Sequence, residues 1–407
     1  MTCSWPTVTL DECASFQEGY VNPTQKKEHY FDGPVKWLRA VDLNNGSIRN
    51  TSRTLSEEGF KSAGKSALLF EPGTLAISKS GTIGRIGILE DYMCGNRAVI
   101  NIKVDKDKCD NLYIFYVLLM SRRVIETLAV GSVQKNLYTS ALGSLELRLP
   151  PLQVQAAIAK QLSDLDKKID LNTQTNQTLE EMAQAIFKSW FVDFDPVKAK
   201  MNGKQPEGMD AATASLFPEK LVESELGLIP EGWDAVQVGD IVQRLKPKKR
   251  YTKKQVEPYG KTPVYEQGAS ILLGFHNDDA GFDASPEDPV FIFGDHTCIT
   301  HLSCSKFDIS SNVIPLKGSV RPTIWTYYAI QGKQEFQEYR RHWSEFIIKD
   351  VVLPPVELAE KYAELVTTKY LMMESLKRQS KELEQLRDTL LPKLLSGEIE
   401  LAEKQEN

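Results

Sequence analysis

Apolar side chains recur every three or four positions over two long stretches of the chain. In the first, Ile158, Leu162, Leu165, Ile169, Leu179, Ala183, Ile186 and Trp190 hold one helical phase, with Asn172 and Asn176 filling the two middle positions. The second carries Tyr362, Val366, Met373, Leu376, Leu383, Leu390 and Leu394, interrupted by Lys369, Ser380 and Arg387. Alternating steps of four and three form a heptad seam. The pattern predicts two helices of about 40 residues, each about 60 Å long at 1.5 Å per residue. So narrow a stripe cannot be covered by one globular domain over that length, whereas pairing the two helices covers both. Polar residues in such a seam cost stability and help fix the register.

The two helices are also copies of one another. Each opens on Leu-Pro-Pro, at Leu149 and Leu353, and 353 − 149 = 204. At that offset Leu152 meets Val356, Leu162 meets Val366, Ile169 meets Met373, Leu179 meets Leu383, Ile186 meets Leu390 and Trp190 meets Leu394. Upstream the echo drifts. WPTVTLDEC at Trp5 parallels WDAVQVGDI at Trp233 (233 − 5 = 228), and CGNRAVI at Cys94 parallels SSNVIPL at Ser310 (310 − 94 = 216). Insertions and deletions in loops between preserved elements produce such a drift, so the chain reads as a duplicated unit.

Ahead of each helix the runs are short, alternating and broken by glycine, as in GTLAISKSGTIGRIGIL (Gly73 to Leu89), NRAVINIKV (Asn96 to Val104) and DPVFIFGDHTCITHL (Asp288 to Leu302). Each such module is expected to be mixed and mostly β, with one short helix, at Asn111 to Arg122 and at Arg321 to Gly332. The expected fold class is α+β: two mixed, mostly-β recognition domains joined by two long antiparallel coiled-coil helices, as an internal pseudo-two-fold repeat. The boundaries read as a first module over 1–148, first helix over 149–192, linker over 193–232, second module over 233–352, second helix over 353–397 and tail over 398–407.

A hydrophobic content of 41% and a charged content of 26% fit a globular protein, and 407 residues exceed one ordinary core. Met1 to Glu12 lacks the basic start and apolar core of a secretory signal, and no run of about 18 apolar residues appears, so a cytoplasmic protein is expected. The six cysteines are scattered, as free thiols would be. A net charge of −6 excludes a protein that coats nucleic acid by bulk basicity, but not local basic surfaces.

Such surfaces are present. Gln243 to Lys254 (QRLKPKKRYTKK) has seven Lys or Arg in twelve positions: Arg244, Lys246, Lys248, Lys249, Arg250, Lys253 and Lys254, with Tyr251 among them. Basic loops neutralise phosphates, and an aromatic ring can stack or wedge; the bland reading is a solvated lysine-rich loop. The first module offers Lys79, Ser80, Thr82 and Arg85 in a glycine-containing turn, and Gln134, Lys135 and Asn136 within VQKNLYTS (Val133 to Ser140). The second offers Arg340, Arg341 and His342 within YRRHWSE (Tyr339 to Glu345), at the matching place before its helix. Gln, Asn and Arg read purine edges, while Lys and Ser hold phosphates.

The ending LRDTLLPKLLSGEIEL (Leu386 to Leu401), the passage IFKSWFVDFDPVKAKMNGKQPEG (Ile186 to Gly208) and LGLIPEGW (Leu226 to Trp233) resemble the specificity subunits of type I restriction-modification enzymes. The likeness covers nearly the whole chain; its specific motifs lie in the helices and linker. It implies that each module reads one half of a split DNA site and that the helices set the unread spacer. It also implies docking of two adenine-methylating modification subunits, to which motor-nuclease restriction subunits attach. S-adenosylmethionine, ATP and Mg2+ would then serve the partners, with no cofactor in this chain. Phe187, Trp190 and Phe191, where the first helix ends, would either dock a partner or cap the chain's own helix pair.

This chain lacks the chemistry itself. FDPV (Phe194 to Val197) is not a methyltransferase DPPY motif, and neither GxGxxG nor GxxxxGK[ST] occurs. The set His296, Cys298, His301 and Cys304 has ligand types that zinc accepts but a spacing unlike structural zinc sites; His296 and His301 read better as residues near DNA. DKDKCD (Asp105 to Asp110) reads as a surface turn rather than a calcium loop. The competing reading is a coiled-coil protein scaffold without sequence-specific DNA binding. A steep fall of affinity with salt would separate the two.

Overall fold

The structure, a computed structural model, describes residues 5–131, 134–268, 270–338 and 340–399. The opening residues 1–4, Val133, Tyr339 and the tail beyond 399, all within stretches singled out above, lie outside the described residues. The chain forms two compact units, residues 1–170 with 381–407, and residues 171–380.

In the first unit the strands are β1 (Thr7–Thr9), β2 (Ala14–Glu18), β3 (Phe31–Leu38), β4 (Gly46–Ile48), β5 (Thr54–Leu55), β6 (Leu75–Ser78), β7 (Ile86–Leu89), β8 (Met93–Gly95), β9 (Val99–Val104) and β10 (Glu146–Arg148). They make a five-stranded sheet of order β2-β9-β6-β7-β4, a three-stranded sheet of order β5-β3-β8, and the pair β1-β10. The second unit has β11 (Leu221–Ser224), β12 (Gly227–Pro230), β13 (Asp234–Gln237), β14 (Val242–Arg244), β15 (Arg250–Tyr251), β16 (Thr262–Tyr265), β17 (Leu272–His276), β18 (Val290–Gly294), β19 (Thr300–Ser303), β20 (Asp308–Ser310), β21 (Val313–Gly318) and β22 (Asp350–Leu353). Its sheets run β14-β21-β18-β19 and β15-β20-β16-β17, with the pairs β13-β22 and β11-β12.

The repeat is therefore topological. The order β2-β9-β6-β7 returns as β14-β21-β18-β19, and β1-β10 returns as β13-β22. The parallel contact β3–β8 returns as β16–β20. One offset needs correction. Strands β9 and β21 start at Val99 and Val313, and 313 − 99 = 214 rather than 216. The matched asparagines misled: Asn96 accepts a hydrogen bond from the Ala98 backbone N–H, whereas Asn312 sits in a turn at φ 59°.

The long helices span Leu152–Phe191 and Val356–Ser396, and 356 − 152 = 204, the offset of the repeat. Within each unit the two run antiparallel. In the first, Asp166 meets Arg387, and Ile158 and Leu162 share a core with Leu391 and Leu394. In the second, the Tyr362 hydroxyl donates to the Ala183 carbonyl at 3.1 Å, and Asn172 Nδ2 donates to Gln379 Oε1 at 2.9 Å and Ser380 Oγ at 3.2 Å. Asn172 is buried, so its amide has to be satisfied across the seam and ties the register there.

Helices Asn111–Met120 and Thr323–Ile330 are apolar nearly all round, which a helix tolerates only when it is covered on all sides. Each shares its unit's core with both the main sheet and the long helices. The first long helix stops before Phe194, whose φ of 56° is left-handed. That conformation costs a residue with a Cβ about 1–2 kcal/mol, offset here by burying the ring edge-on against Trp233 at 5.7 Å. Among the described residues no helix is long and apolar enough to cross a membrane.

Candidate nucleic-acid interface

In the first unit three loops meet at one edge. The turn after β6 starts at Lys79, whose backbone N–H donates to the Ala98 carbonyl at 2.9 Å and whose carbonyl accepts from Leu137 N–H at 2.8 Å. Glycines at φ 73° (Gly81) and 79° (Gly84) let this turn close. Those bonds bring Ser80 and Thr82 beside Gln134, Lys135 and Asn136; Ser80 and Asn136 form a β-bridge. A groove is lined by Gly81, Thr82, Ile83, Glu126, Gln134 and Lys135. Thr82, Gln134 and Lys135 are exposed, while Arg85 is half-buried. Lys79 Nζ is spent on Glu18 at 2.6 Å, with only 14% of its side chain exposed, so it braces the loop that follows β2.

The second unit repeats this site with other side chains. Asp295 takes the place of Lys79: its N–H donates to the Asn312 carbonyl at 3.0 Å, and its carbonyl accepts from His342 N–H at 2.8 Å. Asp295 Oδ1 also accepts from Trp343 N–H at 3.0 Å. Arg244, at the end of β14, lies 5.7 Å over the Trp343 ring, which joins the basic loop to the same face. The first residue of the turn thus makes the same backbone bonds in both units but with opposite charge.

Several of the anticipated contact residues make bonds within the protein, and the burial of Tyr251 and His342 corrects the expectation for those two. Tyr251 is buried, stacked on His276 at 4.1 Å and 8°, with its hydroxyl donating to Asp278 Oδ2 at 3.2 Å, so it offers no free ring. Arg250 Nη1 donates to the carbonyls of Ser310 and Val313 at 2.7 and 2.9 Å and ties β15 to the turn before β21. Lys249 sits over the Tyr251 ring at 4.2 Å and pairs with Asp278 at 3.5 Å. His342 is fully buried, between the Glu338 carbonyl at 3.0 Å and Glu345 at 3.4 Å. Arg340 is held by Glu338 at 2.8 Å and by Glu345, whereas Arg341 is largely exposed, 3.8 Å from Asp295. Lys246, Lys248, Lys253 and Lys254 are exposed and form no ion pair among the described residues.

His296 lies in the turn itself, its backbone N–H donating to Gln267 Oε1 at 2.9 Å. His301 does not; it lies on β19, edge-on to Tyr265 at 4.8 Å. Burial, helped by Lys377, pulls its pKa down from 6.5 to about 4. The folded protein therefore keeps it neutral where the unfolded chain protonates it. Stability is unaffected above pH 6.5, falls as pH drops from 6.5 to 4, and loses nothing further below that. Urea midpoints across this range should fall less steeply in His301→Gln; an unchanged slope would refute the assignment. Among the described residues no three His, Cys, Asp or Glu side chains converge as a metal site.

Phe187, Trp190 and Phe191 are buried at 7%, 6% and 5% exposure, in a nest with Trp325, Tyr328, Tyr362 and Phe217. They cap the chain's own helix pair and are not an exposed docking patch. Every member of the cluster is covered by residues of its own unit.

Sequence reasoning passed over the loop between β2 and β3. It follows β2 as the basic loop follows β14, and it starts at Glu18, the partner of Lys79. Lys26 and Lys27 are exposed in it, and Lys27 Nζ caps Tyr30 at 4.7 Å from the ring centre, as Lys249 caps Tyr251. Carrying the 228 offset forward would have found it, since 254 − 228 = 26 pairs Lys254 with Lys26.

The chain thus carries two modules of one topology, each closed by paired long helices and each presenting the same loop edge. The chain matches, over residues 4–181, the family model for the type I restriction modification DNA specificity domain. Over 95% of its length it is 24% identical to the type I restriction enzyme MjaIX specificity subunit of Methanocaldococcus jannaschii, covering 91% of that protein. It is 28% identical to the HindI specificity subunit of Haemophilus influenzae, over 64% of this chain and 70% of that one. In fold it is similar to the crystal structure of the type I restriction-modification S subunit from M. genitalium, with a TM-score of 0.55, 17% identity and 96% of both chains covered.

Proposed function

We propose that this chain is the DNA sequence-recognition subunit of a type I restriction-modification complex, and that each unit reads one half of a bipartite, asymmetric target through its loop edge. The observation that carries the reading is the paired site: the turns after β6 and β18 make the same backbone bonds but present different side chains. Equivalent scaffolds with unlike loops are what an asymmetric split site requires. The long helices set the spacer between the half-sites and serve two modification subunits, with restriction subunits joining them. Methyl transfer and cleavage, with S-adenosylmethionine, ATP and Mg2+, belong to those partners, and this chain is non-catalytic. A plain scaffold would leave the two matching loop edges without a role.

Base-reading and phosphate-holding residues separate by substitution. Gln134→Ala and Arg341→Ala should each relax one base position of one half-site, by about 1–3 kcal/mol of discrimination. Lys135→Ala should weaken all duplexes alike. Competition binding of the assembled methylase with single-base variants measures both. Uniform weakening by Gln134→Ala and Arg341→Ala would reassign them to the backbone.

A further inference from the structure

The buried helices Asn111–Met120 and Thr323–Ile330 each pass one tyrosine hydroxyl through an apolar interface to a carboxylate on the long helices. In the first unit Tyr116 donates to Asp166 Oδ2 at 2.6 Å, while Arg387 Nη1 from the other long helix donates to Asp166 Oδ1 at 2.8 Å. In the second, Tyr328 donates to Glu180 Oε1 at 2.8 Å and Tyr370 donates to Glu180 Oε2 at 2.7 Å; the two hydroxyls are 2.7 Å apart. Every oxygen of the two carboxylates thus has a donor, and Glu180 Oε1 accepts a second from Gln184 Nε2 at 3.3 Å. The tyrosines are 2%, 4% and 5% exposed for Tyr116, Tyr328 and Tyr370.

Two members of each clamp sit at repeat-equivalent places. The two short helices start at Asn111 and Thr323, and 323 − 111 = 212, the spacing that carries Tyr116 onto Tyr328. The helix offset of 204 carries Asp166 onto Tyr370. That position is kept although its chemistry is not, and the third member differs: Arg387 falls on Ala183 (387 − 204 = 183), and the second unit draws its carboxylate from Glu180 instead.

A helix greasy on every side has little to fix its rotation or slide, because apolar burial is non-directional. Hydrogen bonds to a carboxylate are short and directional, and breaking one in a buried place strands the other partner. We infer that Tyr116 with Asp166 and Arg387, and Tyr328 with Glu180 and Tyr370, are positioning residues that fix the angle of each recognition module on the helix pair, and so the spacer length accepted between half-sites. Burial and the neighbouring carboxylate both push the Tyr116 and Tyr328 hydroxyls far above the ordinary tyrosine range, so they stay protonated donors at any working pH.

The inference rests on the recognition reading above, and the test keeps the two apart. Full-length chain with its modification subunits would methylate a duplex library carrying fixed half-sites and spacers of varied length. Tyr116→Phe and Tyr328→Phe keep the rings, and either one suffices should the other fail to fold. Tyr113→Phe is the control, because that buried hydroxyl, on the same helix as Tyr116, donates to the Arg148 carbonyl of β10 and not to a long-helix carboxylate.

Each clamp variant should raise methylation at spacers one base pair off relative to the proper one by about tenfold, the factor of one charge-assisted hydrogen bond, with both half-sites unchanged. Tyr113→Phe should lower activity at all spacers in proportion. Clamp variants that keep the wild-type spacer preference, or a control that relaxes it equally, would overturn the inference. Absence of any half-site preference in the wild-type complex would overturn the recognition reading, and this inference with it.

Discussion

Phe187→Ala is expected to destabilise the second unit by about 3–5 kcal/mol, the usual cost of emptying a buried phenylalanine site. Phe187 lies within 6.2 Å, ring centre to ring centre, of Phe191, Trp325, Tyr328 and Tyr362. Those rings belong to both long helices and to the helix Thr323–Ile330, so no single element can relax into the space. Phe187→Leu, which keeps most of the volume, should lose less. Denaturant unfolding of the isolated chain measures both. A Phe187→Ala chain that unfolds like the wild type yet fails to assemble with modification subunits would restore the docking role that burial argues against.

Reversing the charge of Lys246, Lys248, Lys253 and Lys254 together to Glu should weaken binding to every duplex by at least about tenfold at moderate salt, cognate or not, and flatten the salt dependence by about one log unit per lysine engaged. These four have exposed ammonium groups without an ion-pair partner among the described residues, which leaves them available to phosphate. Arg250→Ala should behave differently: it strands the Ser310 and Val313 carbonyls and should cost stability rather than salt slope. Titrations of the assembled complex at several salt concentrations decide the point. A quadruple variant with the wild-type slope would remove the basic loop from the interface.

The contrast between those lysines and Arg250 marks where the sequence stops being readable. The long helices were legible because a seam of period 3.5 cannot be satisfied by a strand or a loop, and the second starts 204 residues after the first. The module topology was legible only as short alternating runs, since strand order depends on contacts that local pattern does not encode. Which member of a basic run faces solvent was not legible at all. Tyr251 and Arg250 look like DNA ligands in QRLKPKKRYTKK, but His276 and the carbonyls that claim them lie at least 25 residues away in sequence. His342 likewise reads as a base contact until the Glu338 carbonyl and Glu345 close around it. Phe187, Trp190 and Phe191 read equally well as cap or docking patch until Trp325 and Tyr362 are seen packed on them.

The central claim, that one chain with two equivalent but unlike loop edges selects a split DNA site, is tested most directly by mapping methylated adenines at base resolution across genomic DNA. The map is made with the modification subunits present and this chain either supplied or withheld. The account predicts two short, different half-sites at one fixed spacing, all lost without the chain. Methylation that persists without it, or that follows a single uninterrupted motif or half-sites at no constant spacing, would contradict it.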